Sequence, residues 1–176
     1  MPEDILPFIL ATKQWIQKIV IGLNLCPFAS YPYEQDKISY AVCLDTKELL
    51  YHIHDQIELI LSEQQVETSF IIIPDLTQFL EYLDIVDSIE HFLKNKNLEG
   101  IVQIASFHPD YQFQDLSIED VRNLTNRSPY PMIHILREES VSRAVAAYQD
   151  IDTIPIKNQK LLLDMGWHGY EKYIAS

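Results

Sequence analysis

The sequence predicts an α/β fold, in which a mostly parallel sheet of three to four strands is flanked by helices in one globular domain, residues 1–176. Two observations predict it. Short apolar runs alternate with longer stretches whose apolar residues recur at helical spacing, giving the order β-α-β-α-β. That order is typical of parallel strands joined by right-handed helical crossovers. The length and a hydrophobic content of 47% fit a single domain with a sizeable core.

The first half of the chain contains two predicted strands and two predicted helices. A helix over 5–23 ends near Gly22, and an aromatic loop with two prolines follows over 24–36. The run ISYAVCL predicts a strand over 38–44, and SFIII predicts a strand over 69–73 that is covered on both faces. Between these strands, Thr46 can cap a helix over 47–64.

The second half continues the alternation and then departs from it. Asp75 can cap a helix over 76–94, and a third strand is predicted over 101–107. After a long polar loop, the pattern predicts a fourth strand over 132–137 and helices over 140–148 and 156–165, the last of which stops near Gly166.

Charge and composition exclude several classes of function. A net charge of −13 argues against nucleic acid and against a membrane surface as partners, because both require a basic face. No apolar run approaches the roughly 18 residues that a membrane span needs, and no leader peptide is recognisable. Two cysteines are too few for a disulfide scaffold. We therefore expect a cytoplasmic protein, whose oligomeric state the sequence does not indicate.

The stretch from Ala105 to Glu138 departs from the periodic pattern and predicts a binding or catalytic platform. All four arginines of the chain fall between Arg122 and Arg143, within and just beyond it, whereas the nine lysines are scattered. The planar guanidinium suits bidentate contact with a carboxylate or phosphate. The alternative is that these arginines form ion pairs with nearby acidic residues. We expect a small anionic metabolite as the partner.

Two residues are predicted to be catalytic. His108 follows the third strand and is the candidate general acid or base, since an ordinary imidazole titrates near neutral pH. It shares the carboxyl edge of the predicted sheet with Asp45 and Asp75, and ligands bind at that edge in open parallel sheets. Cys26 is the candidate nucleophile. The alternatives are a histidine that only stabilises a loop and a buried, inert thiol.

Six residues are predicted to bind substrate. Asn126, Arg127 and Ser128 offer an amide, a guanidinium and a hydroxyl on a loop stiffened by proline, or they form a turn that stabilises the loop itself. Strand alternation admits only one of His134 and Arg137 to a given pocket, and Arg137 is our choice. Tyr111 and Tyr130 could wall the pocket, or close the core beneath the loops.

The sequence assigns no cofactor-binding residue and no metal ligand. Only four glycines are present, and their spacing cannot form a glycine-rich phosphate loop. Cys26, His108 and His134 could together leave an open position on Zn²⁺. However, the short ligand spacings that make a metal site recognisable are missing.

Four segments carry a resemblance that covers nearly the whole chain: IGLNLCPFA (21–29), ASFHPDYQF (105–113), NLTNRSPYP (123–131) and HILREESVSRAVAAY (134–148). Together they resemble a bacterial family of domains of unknown function, number 1415 in that series. The resemblance implies a family but no reaction, cofactor or catalytic residue.

From the side chains alone we therefore expect a small-molecule enzyme that acts on a phosphate- or carboxylate-bearing substrate, with a histidine acid or base and an arginine anion site. The alternative, from another class, is a non-catalytic module that senses a metabolite or binds a protein. The sequence does not determine the reaction type.

Overall fold

A four-stranded sheet forms the centre of the molecule. The computed structural model describes residues 4–148 and 151–175. Its strands are β1 (Ile38–Val42), β2 (Thr68–Ile72), β3 (Val102–Phe107) and β4 (Met132–Arg137). Helices flank this sheet, which confirms the α/β class.

The sheet is mixed, so the prediction of a mostly parallel sheet is wrong. The strand order is β1-β2-β4-β3. β1 and β2 are parallel, whereas β4 is antiparallel to both of its neighbours, β2 and β3. The reason lies in the connections, because parallel neighbours need a long crossover, usually a helix. The chain between β3 and β4 contains no α-helix, and β4 therefore returns in the opposite direction between β2 and β3.

Six α-helices surround the sheet in the described part of the chain. Their bounds are α1 (Leu6–Trp15), α2 (Ser30–Glu34), α3 (Leu49–Ser62), α4 (Phe79–Asn95), α5 (Glu138–Ala146) and α6 (Ile154–Ala175). A π-helical segment, Ile16–Ile21, continues α1, and short 3₁₀ segments lie at Thr46–Glu48, Val121–Thr125 and Ile151–Thr153.

Two helix starts differ from the expected caps. The side chain of Asp45, rather than Thr46, accepts a hydrogen bond from the backbone N–H of Lys47 and caps the turn that leads into α3. Asp75 does not cap α4, which begins later, at Phe79.

One face of the sheet is closed by α3 and α4. Branched side chains from the centre of the sheet, such as Ile71 and Ile133, pack against Ile53 of α3 and Ile89 of α4. Tyr82 is fully buried in this layer, and its hydroxyl accepts from the N–H of Phe107 and donates to the carbonyl of Met132, both at 2.8 Å. This hydroxyl ties the ends of β3 and β4 together.

The opposite face is only partly covered. α1 and the π-helical segment pack Ile9, Trp15 and Ile16 against Phe70 and Met132. This contact lies toward the carboxyl ends of β1, β2 and β3. The side chains nearer the amino ends of those strands are left facing a cavity.

α6 fastens the amino-terminal helices. The amide of Asn158 donates to the carbonyl of Leu25 at 2.7 Å, and the hydroxyl of Tyr173 donates to the carbonyl of Lys18 at 2.9 Å. Gly22 permits this approach, because a Cβ there would lie 2.4 Å from the Tyr173 hydroxyl. α6 is broken at Gly166, where φ is 63°, so the helix resumes beyond the point where the sequence predicted its end.

Among the described helices, none has both the length and the apolar character that a membrane crossing requires.

Candidate functional site

A cavity of about 1160 Å³ lies over the uncovered part of the sheet, and we call it the sheet cavity. Its floor consists of two rows of side chains set by the strand register. Thr68, Leu136 and Gln103 form the outer row, nearest the amino ends of the parallel strands; the inner row consists of Phe70, His134 and Ala105. The site therefore lies at the end of the sheet opposite to the one that we expected from the carboxyl-edge rule.

The roof comes from three separate parts of the chain. The π-helical segment contributes Ile16, and the loop before α2 contributes Phe28. α5 contributes Val141 and Ala144. No residue of α5 is buried, so its apolar side faces the cavity rather than the core. Phe28 meets Tyr148, just beyond α5, edge to face with ring centroids 5.4 Å apart, and this contact closes the roof.

His134 lies at the centre of the floor with a defined tautomer. Its ring stacks on Phe70, with centroids 3.9 Å apart and planes 6° from parallel. The hydroxyl of Thr68 donates its proton to the carbonyl of Ile135 at 2.7 Å, so its oxygen accepts from His134 Nε2–H at 2.5 Å. Nδ1 is then the acceptor nitrogen. No described residue donates a hydrogen bond to Nδ1, whereas every buried side-chain polar atom of the described residues has a partner. Nδ1 is therefore open to the cavity.

The surroundings of His134 keep the imidazole neutral. His134 is partly exposed and lines the cavity, where the protein around it replaces much of the bulk water. Burial lowers the pKa of His134 to about 3. At neutral pH the group is thus an uncharged hydrogen-bond acceptor that faces the cavity.

Cys26 lines the same cavity, and its thiol is held in its less reactive, protonated form. Burial raises the pKa of its thiol, and the backbone N–H groups of Phe28 and Ala29, which donate to the sulfur, oppose part of that change. The side chain is half-buried, and the thiol forms no disulfide. It is a protonated thiol at neutral pH, and its role as a nucleophile stays a prediction.

Three cations of the described residues line the sheet cavity, and two of them form ion pairs. Lys37 contacts Glu67 at 3.0 Å, and Arg143 contacts Glu139 at 3.4 Å. Arg137 is the third. Its Nη2 lies within hydrogen-bond reach of the carbonyls of Ile60, in the last turn of α3, and of Glu63 and Val66 beyond it, which fastens that end of the helix. None of the ion pairs found among the described residues includes Arg137.

The strand over Met132–Arg137 is confirmed, but our expectation that only one of His134 and Arg137 would reach a given pocket is wrong. Both line the sheet cavity: His134 lies in its floor, and Arg137 borders it from the end of the strand. The choice of Arg137 alone therefore omitted the residue at the centre of the site.

His108 is fully buried and lies outside the sheet cavity. Its Nδ1 accepts from the N–H of Asp110 at 3.0 Å, and its Nε2 donates to the carbonyl of Leu76 at 3.3 Å. Burial lowers its pKa, opposed by the contact with the Leu76 carbonyl. Both ring nitrogens are occupied by the backbone, which gives His108 the role of fixing the turn after β3.

The side chains of the Asn126–Ser128 segment also form hydrogen bonds to the backbone. Asn126 donates its amide to the carbonyl of Ser106 at 3.1 Å, and the Ser128 hydroxyl donates to the carbonyl of Tyr130 at 2.6 Å. Arg127 donates Nε–H to the carbonyl of Tyr111 at 3.1 Å and Nη2–H to that of Ile118 at 2.7 Å. These side chains hold the loop between β3 and β4 in shape.

Tyr111 and Tyr130 pack away from the sheet cavity. Tyr111 contacts Phe79 with ring centroids 5.5 Å apart, and Tyr130 meets Phe8 edge to face at 5.0 Å. A second, shallower cavity of about 510 Å³ lies on this side of the molecule, where the guanidinium of Arg127 stacks on Trp167. Of the eight residues predicted for the site, the sheet cavity thus contains Cys26 and Arg137.

The sequence analysis missed Thr68 and the roof formed by α5. A signal existed in each strand, because residues two apart share a face: Thr68 precedes Phe70, and His134 lies between Met132 and Leu136. A polar residue on an otherwise apolar face is the informative exception.

The groups Cys26, His108 and His134 do not converge. Within residues 4–148 and 151–175, no three or more His, Cys, Asp or Glu side chains are placed to hold a metal ion.

The comparisons with known proteins identify a family. A family model described as "Protein of unknown function (DUF1415)" matches residues 8–172 of the chain. Neither a curated protein nor a solved structure matches it.

Proposed function

The chain belongs to this family of unknown function, and we propose that it is a small-molecule enzyme that acts on an anionic substrate in the sheet cavity, with His134 as its acid or base. One observation supports the proposal above the others. His134 exposes a single free acceptor nitrogen, Nδ1, to a partly open, mainly apolar cavity, while Thr68 fixes the opposite nitrogen. A base oriented in this way can take a proton from a bound molecule without rearranging.

A bound anionic substrate would make His134 a stronger base. An imidazole whose pKa is about 3 is a weak base at neutral pH. A substrate anion about 7 Å away would contribute roughly 2.4 kcal/mol at an effective dielectric constant of 20, or about 1.7 pKa units. The pKa would then rise, and negative charge that develops closer to the ring would raise it further. Basicity is thereby coupled to the presence of substrate.

A binding screen with matched variants tests the location of the site. Ala144 lines the cavity from α5, whereas Ala146 lies on the exposed side of the same helix. Phosphorylated and carboxylated metabolites are screened by thermal shift against wild type, Ala144→Phe and Ala146→Phe. A ligand at 100 times its Kd adds about 2.7 kcal/mol of stability. We expect hits that survive Ala146→Phe and vanish in Ala144→Phe; hits that survive both would place binding elsewhere.

Turnover of the hits then tests catalysis. His134→Gln keeps a donor for the Thr68 hydroxyl but removes the titratable ring. If the protein is an enzyme, we expect this variant to bind the substrate but to turn it over at least about 100-fold more slowly, because a general acid or base usually contributes that much to the rate. Equal turnover in wild type and variant would remove His134 from the mechanism.

A non-catalytic metabolite-sensing module is the second candidate, and the protonation states favour it. Burial holds His134 neutral with a low pKa and Cys26 as a thiol with a raised pKa, so both reactive groups of the cavity are in their less reactive forms. If the protein is such a module, we expect metabolites that bind in the cavity and are recovered unchanged after long incubation.

We also propose a cytoplasmic location without a nucleic-acid or membrane partner. Both cysteines are unpaired, as is usual in a reducing compartment, and the net charge of −13 disfavours polyanionic surfaces. Fractionation of cells that express the protein tests the location, and recovery in an oxidising compartment would contradict it.

A further inference from the structure

We infer that the ligand of the sheet cavity is an amphiphilic acid: a molecule whose apolar body lies along the strands and whose single terminal acid group, carboxylate or phosphate, is held at Arg137. This inference rests on the proposed function, because it specifies the substrate class of the same site. Three features of the cavity carry it: the lining of its inner end, the charge at its rim and its length.

The inner end of the cavity, which lies beyond the inner row of the floor, is lined by aromatic and aliphatic side chains. Trp15 closes it, in edge contact with Phe70 and Phe107 at centroid distances of 6.4 and 5.1 Å. Val20 and Ile16 of the π-helical segment lie above. A charged or strongly hydrated group placed here would lose its water without gaining a partner, which costs several kcal/mol. This end therefore accepts an apolar group.

The rim carries one uncompensated positive charge. Among the described residues, the charged side chains that line the cavity are three cations and two carboxylates, a net charge of +1 in a chain whose total is −13. Since Lys37 and Arg143 each have a carboxylate partner, the excess belongs to Arg137. Only its Nη2 takes part in the hydrogen bonds found for it, so Nε and Nη1 remain to receive an acid group. One excess cation matches one anionic group.

The strand geometry sets the length of the ligand. Gln103 lies in the outer row and Phe107 at the inner end, four residues along β3. At about 3.3 Å per residue, the floor is roughly 13 Å long. Ala105 and its cross-strand partner His134 lie about halfway, roughly 7 Å from the outer row. A bound amphiphile thus presents the middle of its body, rather than its acid group, to Nδ1.

The test uses straight-chain monocarboxylates of increasing length, below their micellar concentrations, with the matching dicarboxylates and alkyl phosphates. Binding is followed by thermal shift and by protection of Cys26, which lines the cavity, from alkylation. We expect monocarboxylate affinity to rise about fourfold per methylene until the floor is filled, and then to level off. The dicarboxylates should bind roughly 100-fold more weakly, since their second charge must enter the apolar end. The alkyl phosphates distinguish the two headgroups.

Charge variants test the rim without disturbing the support that Arg137 gives to α3. Glu139, whose side chain is 73% exposed, is paired with Arg143, and Glu139→Gln raises the net charge of the rim. We expect roughly two- to fivefold tighter binding of the monoacids. Asp164→Asn breaks a comparable exposed pair with Lys160, away from the cavity, and should change nothing.

The outcomes separate this inference from the proposed function. If dicarboxylates or phosphorylated sugars bind as well as or better than monoacids, and Ala144→Phe abolishes that binding, the cavity site stands and the amphiphile is wrong. If affinity does not depend on chain length, or does not respond to Glu139→Gln, the inference is also overturned. If no acid of any kind binds in the cavity, both proposals fail.

Discussion

The neutral imidazole of His134 makes part of the protein's stability depend on pH, and replacing it should remove that part. In the folded chain the pKa is held at about 3 because the ring is buried, whereas an unfolded histidine titrates near 6.5. The folded state therefore resists a proton that the unfolded state binds. The contribution of this residue to the unfolding free energy is fully present above about pH 6.5 and is lost progressively as the pH falls toward 3.

The size of the effect follows from these two pKa values. Each pH unit inside the window costs about 1.4 kcal/mol, so a decrease from pH 7.5 to pH 5 removes about 2 kcal/mol of unfolding free energy through this one residue. His134→Gln cannot bind that proton. The difference between wild type and variant should therefore change by about 2 kcal/mol over the same interval, while the contributions of all other groups cancel.

Urea denaturation at a series of pH values between 7.5 and 5 measures this difference. Imidazole nitrogen chemical shifts provide an independent reading, because they report both the protonation of His134 and its Nε2–H tautomer. Parallel stability curves for the two proteins would refute the reasoning. They would mean that water in the cavity hydrates the imidazolium, so that the surroundings of His134 do not keep the ring neutral.

Three further predictions concern the frame around the site. Tyr82→Phe should cost about 1–3 kcal/mol by urea denaturation, because it leaves a buried N–H and a carbonyl without a partner, whereas Tyr51→Phe, at a side chain 71% exposed, should cost almost nothing. A thiol reagent should titrate Cys26 but not the fully buried Cys43 in the native protein, and both after unfolding; two fast thiols in the native state would contradict the burial. Gly22→Ala would place a Cβ 2.2 Å from the backbone oxygen of Lys18 and 2.4 Å from the hydroxyl of Tyr173, so we expect a loss of about 1–3 kcal/mol and a lower Tm; an unchanged Tm would show that both the backbone at Lys18 and the carboxyl-terminal helix adjust at no cost.

The sequence predicted the elements well, because burial imposes a period on the side chains. β4 was predicted over the residues that it occupies, and the apolar run at 69–73 falls within one residue of β2. Strand direction leaves no such period. It depends on how the chain returns, and the absence of a helix between β3 and β4 was the available sign that the return would be antiparallel.

The sequence analysis placed most of the predicted site in the polar loop between β3 and β4, and there is a physical reason for this. Such a loop has many backbone groups without a partner in regular structure, and those groups must be satisfied once they are buried. Arg127, Asn126 and His108 supply that need from their side chains. Fully buried Asn123 does the same, accepting from the N–H of Phe113 and donating to the carbonyl of Ser117. A cluster of polar residues that holds a loop cannot be told by sequence from one that binds a ligand.

The reversed direction of β4 also accounts for the position of the cavity. α5 begins at Glu138, directly after β4 ends. Because β4 is antiparallel to its neighbours, it ends beside the amino ends of the other strands, and α5 starts there. A parallel β4 would have delivered this helix to the opposite edge, where the sequence led us to expect the site. Instead, α5 roofs the half of the sheet that α1 leaves open, and His134 lies beneath that roof. One strand reversal thus determines both the place of the cavity and the histidine that faces it.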